Sequence, residues 1–221
     1  MSFVERIRQA SGVIFDFNGT LSDDEAVLEQ SYDLALSDLD LEPLRSGEYE
    51  SLLGLSDVDI SRNLVDARGA CCGVEELLEA LATRYLALSR GAELIATRTV
   101  DFVNTLQREG KKIGIVTGTS RKLLEPVLKE NGLDSLLPYS VTIEDVTAGK
   151  PDPQGFVLSA KLLEISPESM VVFEDSIAGV RAARSARMCP VVVGTNTAAA
   201  AVADFSFDSM GEAAEQYLCA G

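Results

Sequence analysis

The residues able to do chemistry stand at the ends of short apolar runs. Val13-Ile14-Phe15 leads into Asp16, with the turn residues Asn18 and Gly19 close behind. Ile113-Gly114-Ile115-Val116 ends in Thr117 and Gly118, and Met170-Val171-Val172-Phe173 ends in Glu174 and Asp175. Lys150 follows Val141-Thr142-Ile143, in the loop Gly149-Lys150-Pro151-Asp152-Pro153. Apolar runs bounded by turn residues read as buried strands. Open α/β sheets gather ligands beyond the carboxyl ends of such strands. Phosphoryl transfer needs an in-line nucleophile, a divalent cation and donors around the equatorial oxygens. Asp16 is the candidate nucleophile. Magnesium takes hard oxygen ligands, which Asp16, the backbone carbonyl of Asn18, Glu174 and Asp175 would supply. Thr117 and the Gly118 amide are candidate donors to a phosphate, and Lys150 is a point charge for both nucleophile and phosphoryl group. Each residue alone has a plainer role: a glycine-loop threonine, a solvated lysine, an acidic pair capping a helix. Their occurrence together at successive strand ends makes the functional reading.

The composition narrows the partners. The 221 residues carry a formal charge of −16, which repels nucleic acid and anionic membrane and mildly favours a monomer. A phosphate site in such a chain must create its own positive field. No apolar run reaches the roughly 18 residues of a membrane span. Met1 to Gln9 lacks the apolar core of a secretory leader. Cys71, Cys72, Cys189 and Cys219 are too sparse for a disulfide framework and lack metal-knuckle spacing, so a reducing, cytoplasmic setting is expected. The chain has no histidine, which removes Ser-His and Cys-His dyads and His-ligated zinc.

Strand-helix alternation predicts a parallel sheet with helices on both faces. Between the first and second strands the pattern is helical: Asp24 to Leu36, Glu48 to Leu55, Asp57 to Ala67 and Val74 to Leu88. That insert has no lysine. The core helices are expected at Thr99 to Arg108, Arg121 to Glu130, Gln154 to Leu163 and Ile177 to Ala186. A strand at Val191 to Val193 follows, and the Ala-rich tail closes with a helix over Gly211 to Leu218. The expected division is a Rossmann-like core from residues 1–22 and 97–221, with a cap over 23–96.

These four motifs and their order resemble the haloacid dehalogenase superfamily. The matching stretches are Asp16-Phe17-Asn18-Gly19-Thr20, Val116-Thr117-Gly118-Thr119-Ser120, Gly149-Lys150-Pro151-Asp152-Pro153 and Phe173-Glu174-Asp175-Ser176. The helical insert resembles the four-helix cap of the β-phosphoglucomutase-like phosphatases. The resemblance implies a magnesium-dependent phosphohydrolase of a small phosphorylated metabolite, working through an aspartyl-phosphate on Asp16. Thr117 and Lys150 would hold phosphate, and Glu174 and Asp175 would serve the metal.

One position departs. Members that hydrolyse esters usually place an Asp two residues after the nucleophile, to protonate the leaving alcohol and activate water. Here it is Asn18, and an amide exchanges no proton at neutral pH. A slow phosphatase, one selective for leaving groups that need no proton, and a catalytically impaired binder all follow. A sugar-phosphate mutase is the less favoured alternative. The mutases' early cap histidine and the arginine after their Gly-x-Ser fall here at Leu28 and Asp57. A phosphonate-cleaving member would need a cap lysine, and a dehalogenase would leave Glu174 and Asp175 unexplained. Arg62 and Arg45 are the cap cations to consider for substrate, Arg45 being expected to be merely solvated. Leu52 to Ser56 is the candidate loop facing the core.

Overall fold

Strand β1 (Gly12–Phe15) is buried along its whole length and forms the middle of the sheet. It pairs in parallel with β2 (Lys112–Val116) on one side and β4 (Met170–Glu174) on the other. Strand β3 (Ser140–Val141) extends the sheet beyond β2, while β5 (Cys189–Val193) and β6 (Phe205–Phe207) extend it beyond β4. The six strands run in the order β3-β2-β1-β4-β5-β6. The chain builds outward from β1 to β3, then returns to start β4 on the other flank of β1. That reversal opens a crevice at the carboxyl ends of β1 and β4, where ligands bind in doubly wound sheets. The computed structural model describes residues 1–69 and 71–220.

Alternation along the strands divides the core. Val13, Phe15, Ile113, Ile115, Val171 and Phe173 belong to one apolar cluster, shared with α1 (Phe3–Gln9), α5 (Thr97–Arg108), α6 (Arg121–Glu130) and α10 (Met210–Leu218). Ile14, Val116 and Val172 belong to a second, with α7 (Gln154–Leu163) and α8 (Ile177–Ser185). Helices therefore cover both faces, as a parallel sheet requires. The register sets Phe15 opposite Ile115 and Phe173. The next residues, Asp16, Val116 and Glu174, thus reach the same edge.

Helices α2 (Glu25–Asp38), α3 (Asp57–Arg68) and α4 (Val74–Ser89) form the insert, with α2 and α3 both packed on α4. The expected helix over Glu48 to Leu55 is reduced to a 3₁₀ turn at Glu50–Leu52. Gly47 and Gly54 flank it with φ of 74° and 85°, leaving too few residues between them to offset helix nucleation. The expected strand over Val141 to Ile143 keeps only its first residue in the ladder, because Ile143–Asp145 turns into a 3₁₀ helix around the Asp145 carboxylate.

Several elements lie outside the sequence expectation, 3₁₀ turns at Asp134–Tyr139 and Pro167–Ser169 among them. Helix α1 is opened by a Ser2–Glu5 capping box. Helix α9 (Thr197–Ala200) is a single turn. Strand β6 exists because Phe205 and Phe207 close on Phe3, with ring centroids 5.8 and 4.7 Å apart.

Candidate active site

Asp16 leaves β1 with its amide bonded to the Phe173 carbonyl at 2.9 Å, so its side chain emerges beside the end of β4. Lys150 reaches the same point. Its Nζ lies 2.8 Å from Asp16 Oδ1 and 2.5 Å from Glu174 Oε1, and all three side chains are largely or wholly buried. The other Glu174 oxygen accepts from the Ser176 hydroxyl at 2.9 Å and from the Asp175 and Ser176 amides. Room for Glu174 depends on Gly179, where an added Cβ would stand 1.9 Å from the Glu174 carboxylate. Ligand oxygens of Asp16, Glu174 and Asp175 lie within 4.8 Å of one another.

Such crowding of carboxylates away from water shifts their proton equilibria. Burial pushes Asp16 up to about 7, with Lys150 pulling it back and Glu174 pushing further. Burial, then the charges of Glu174 and Asp16, raise Asp175 well above the carboxylate range. Burial works to strip the proton from Lys150, but Asp16 and Glu174 outweigh it and hold the ammonium charged.

Thr117 and Gly118 follow β2 into the same cavity of about 460 Å³, which also takes in Asn18 and Asp175. Thr117 spends its amide on the Val141 carbonyl and accepts the Thr119 amide with its hydroxyl oxygen. The insert closes the far side. Gly54 approaches Ser176, Ser56 approaches Gly118, and the Asp57 amide donates to the Gly118 carbonyl at 3.2 Å. Leu53 to Ser56 therefore lines the cavity, close to the Leu52 to Ser56 span expected from sequence. Arg62 is at its rim, half exposed and bound to Asp59 at 2.6 Å. Arg45 lies outside the cavity lining.

Both polar atoms of the Asn18 amide have partners. Its Nδ2 donates to Asp24 Oδ2 at 2.8 Å, which also accepts the Tyr85 hydroxyl at 2.5 Å. Its Oδ1 accepts the Thr119 hydroxyl at 2.8 Å, and the same hydroxyl oxygen is 2.8 Å from Asp57 Oδ2. Thr119 has one hydrogen, which these two acceptors share. Burial pushes Asp57 and Asp24 each up to about 6. Sequence reasoning missed Asp24, Thr119 and Glu25, and met Asp57 only as a departure from the mutases. Their partners lie on separate elements, and only the replacement of Asp by Asn at position 18 hinted that an acceptor must wait nearby.

This network predicts a result for Asn18→Asp. The new carboxylate would meet Asp24 at hydrogen-bond distance, and two such groups share a proton. The folded pair then titrates above the unfolded one. Its stability is intact at low pH and is lost as pH rises through the folded value. Thermal melts should show the variant below wild type by about 2 kcal/mol at pH 8, with the gap closing toward pH 5.

Asp16, the buried Lys150 and the acidic pair Glu174–Asp175 thus meet at the switch point of a doubly wound parallel sheet. The chain belongs to the haloacid dehalogenase-like hydrolases, whose family model matches residues 10–187. Over 131 residues it is 31% identical to the validoxylamine A 7'-phosphate phosphatase of Streptomyces hygroscopicus subsp. limoneus, covering 59% of this chain and 62% of that protein. It is 27% identical to hexitol phosphatase B of Escherichia coli (strain K12) over 188 residues, 84% of either chain. The fold matches CbbY from Rhodobacter sphaeroides, solved in complex with phosphate, with a TM-score of 0.84 over 92% of this chain and 96% of that one, at 23% identity. The protein is thus an enzyme, a phosphatase of the haloacid dehalogenase type.

Proposed function

We propose that this phosphatase is magnesium-dependent and uses Asp16 as its covalent nucleophile. The observation that carries the proposal is Lys150 bridging Asp16 and Glu174 within 2.8 Å. The donor set suits a hard cation, since Asp16 and Asp175 present carboxylate oxygens close together in a buried crevice. Glu174 belongs to the same acidic group and also fixes Lys150 and the loop after β4. A magnesium ion held there would offset phosphate charge and leave the nucleophile ionised. Thr117, Gly118 and Lys150 surround the phosphoryl oxygens, and Arg62 stands at the substrate entrance. Residues 23–96 act as the cap.

In the first step an Asp16 oxygen attacks phosphorus, and the bond to the leaving oxygen breaks with its electron pair. In the second, water attacks the phosphorus of the aspartyl-phosphate and restores Asp16. Asn18 orients but gives no proton, so leaving groups stable as anions depart fastest. Acyl phosphates should therefore outpace alkyl esters by about 10²–10⁴-fold, the usual worth of acid–base help.

The test is hydrolysis of acetyl phosphate and an alkyl phosphate, with and without magnesium, alongside mass spectrometry of acid-quenched protein. Expected are loss of turnover on chelation and one phosphoryl group on the peptide carrying Asp16. Turnover without that adduct would refute the covalent route. The second reading is a binder without turnover, because Asn18 has no proton to give and its Nδ2 and Oδ1 are both held by protein groups. It would be supported by silence toward every phosphate together with saturable binding.

A further inference from the structure

We infer that the cavity selects monophosphates whose remaining body carries hydroxyl or amine donors and no second anionic group. The inference deepens the proposed function and rests on its assignment of the phosphoryl end to Asp16 and Lys150. That end uses the one lysine of the cavity lining, and Lys150 is already held by Asp16 and Glu174. The wall supplied by the insert presents Glu25 from α2 and Asp57 and Asp59 from α3.

Arg62 is the only cation of that wall among the described residues, and its guanidinium is bound by Asp59 at 2.6 Å. A carboxylate or second phosphate reaching this wall would find acids and no free positive partner. Unpaired like charges brought together in a partly dry site are a strong means of rejection.

Donors fare differently. Beyond the Ser120 amide and Thr119, Asp57 has the Tyr32 hydroxyl near Oδ1 at a long 3.4 Å, leaving acceptor capacity at that atom. Glu25 stands close to Asp175. An imagined Cβ on Gly19 would lie 2.9 Å from a Glu25 oxygen and 2.8 Å from an Asp175 oxygen. Tyr49, Leu53 and Leu55 fill the apolar part of the wall. Carboxyl acceptors beside apolar surface suit a polyol or an amino sugar, whose hydroxyls or ammonium donate while its C–H faces pack.

The test uses three six-carbon compounds phosphorylated on the terminal carbon: sorbitol phosphate, glucosamine phosphate and phosphogluconate. They are to be compared as competitive inhibitors of acetyl phosphate hydrolysis, and by calorimetric binding to Asp16→Asn with magnesium. The neutral and amine compounds should bind at least about tenfold more tightly than the acid. Glu25→Gln and Asp57→Asn, each removing one anion, should narrow that gap severalfold.

Phosphogluconate binding as well as or better than sorbitol phosphate, or none of the three binding, would overturn the inference. Failure of acetyl phosphate hydrolysis with the binding order intact would instead remove the proposed activity and leave the inference standing. The pH is to be held at 8, because Asp57 is faced by Tyr32, Tyr49, Asp24 and Glu144, and Glu25 by Asp23.

Discussion

Asp16→Asn should abolish turnover, by at least about 10⁴-fold, because the attacking atom is removed and nothing beside it can replace it. The neighbours are Lys150, which is protonated, and Glu174, whose oxygens are taken by Lys150, Ser176 and two amides. Asp175 has a free oxygen but belongs to the next turn of chain after β4. Fold should survive the change. Burial already pushes Asp16 toward its neutral form, and an amide of the same shape is neutral at every pH. The metal-free variant should therefore melt at or above the wild-type temperature at pH 8, where wild type must hold Asp16 ionised. Acetyl phosphate hydrolysis and thermal melts read the two halves separately. A variant keeping a tenth of wild-type turnover would place the nucleophile elsewhere.

The second large effect is expected from Lys150→Ala. The lysine is the positive charge at the centre of Asp16, Glu174 and Asp175. Truncation leaves buried carboxylates facing one another, and removing one partner of a buried ion pair costs about 3–5 kcal/mol. Turnover should fall about 10³-fold, as when a charged transition-state donor is lost.

The stability loss carries a pH signature. Without Lys150, the carboxyl groups titrate still higher in the folded protein than the already raised Asp16. They bind protons in the folded state that the unfolded chain has released, so the penalty vanishes below the unfolded carboxylate range. It is complete above the folded values. Melting of the variant should approach wild type near pH 4 and fall well below it at pH 8. Added magnesium should recover part of the loss by replacing the missing charge. Equal melting of variant and wild type at pH 8 would show that Lys150 is not the counter-charge of this cluster.

The two predictions divide along a line that runs through the whole molecule. Asp16, Thr117, Lys150, Glu174 and Asp175 were legible in the sequence because each follows an apolar run. In a parallel sheet with right-handed crossovers, such positions must meet at one edge. The strand-helix order follows from the same local patterns. Sequence also determined that position 18 has no proton to give, since that is a property of an amide wherever it sits.

Elements that depend on distant partners were not legible. Strand β6 is three residues that pair with β5 and pack on Phe3, about two hundred positions earlier in the chain. The turn at Glu50–Leu52 is a helix on composition, but its length is limited by glycines whose positive φ serves the close approach to Ser176 at Gly54.

Only the tertiary structure decided what surrounds Asn18 and what the cavity accepts. Asp24, Thr119 and Asp57 come from three elements, and Tyr85 from a fourth. Each reads as an ordinary polar residue until the chain is closed. Likewise, the sequence leaves Arg62 as the cap cation for substrate, and only the fold shows its guanidinium tied to Asp59 at the cavity rim. Local sequence determines which side chains end a strand, because backbone geometry is local. Which of them share a proton or a charge is set by distances of a few ångströms between segments far apart in the chain, and those distances exist only after packing.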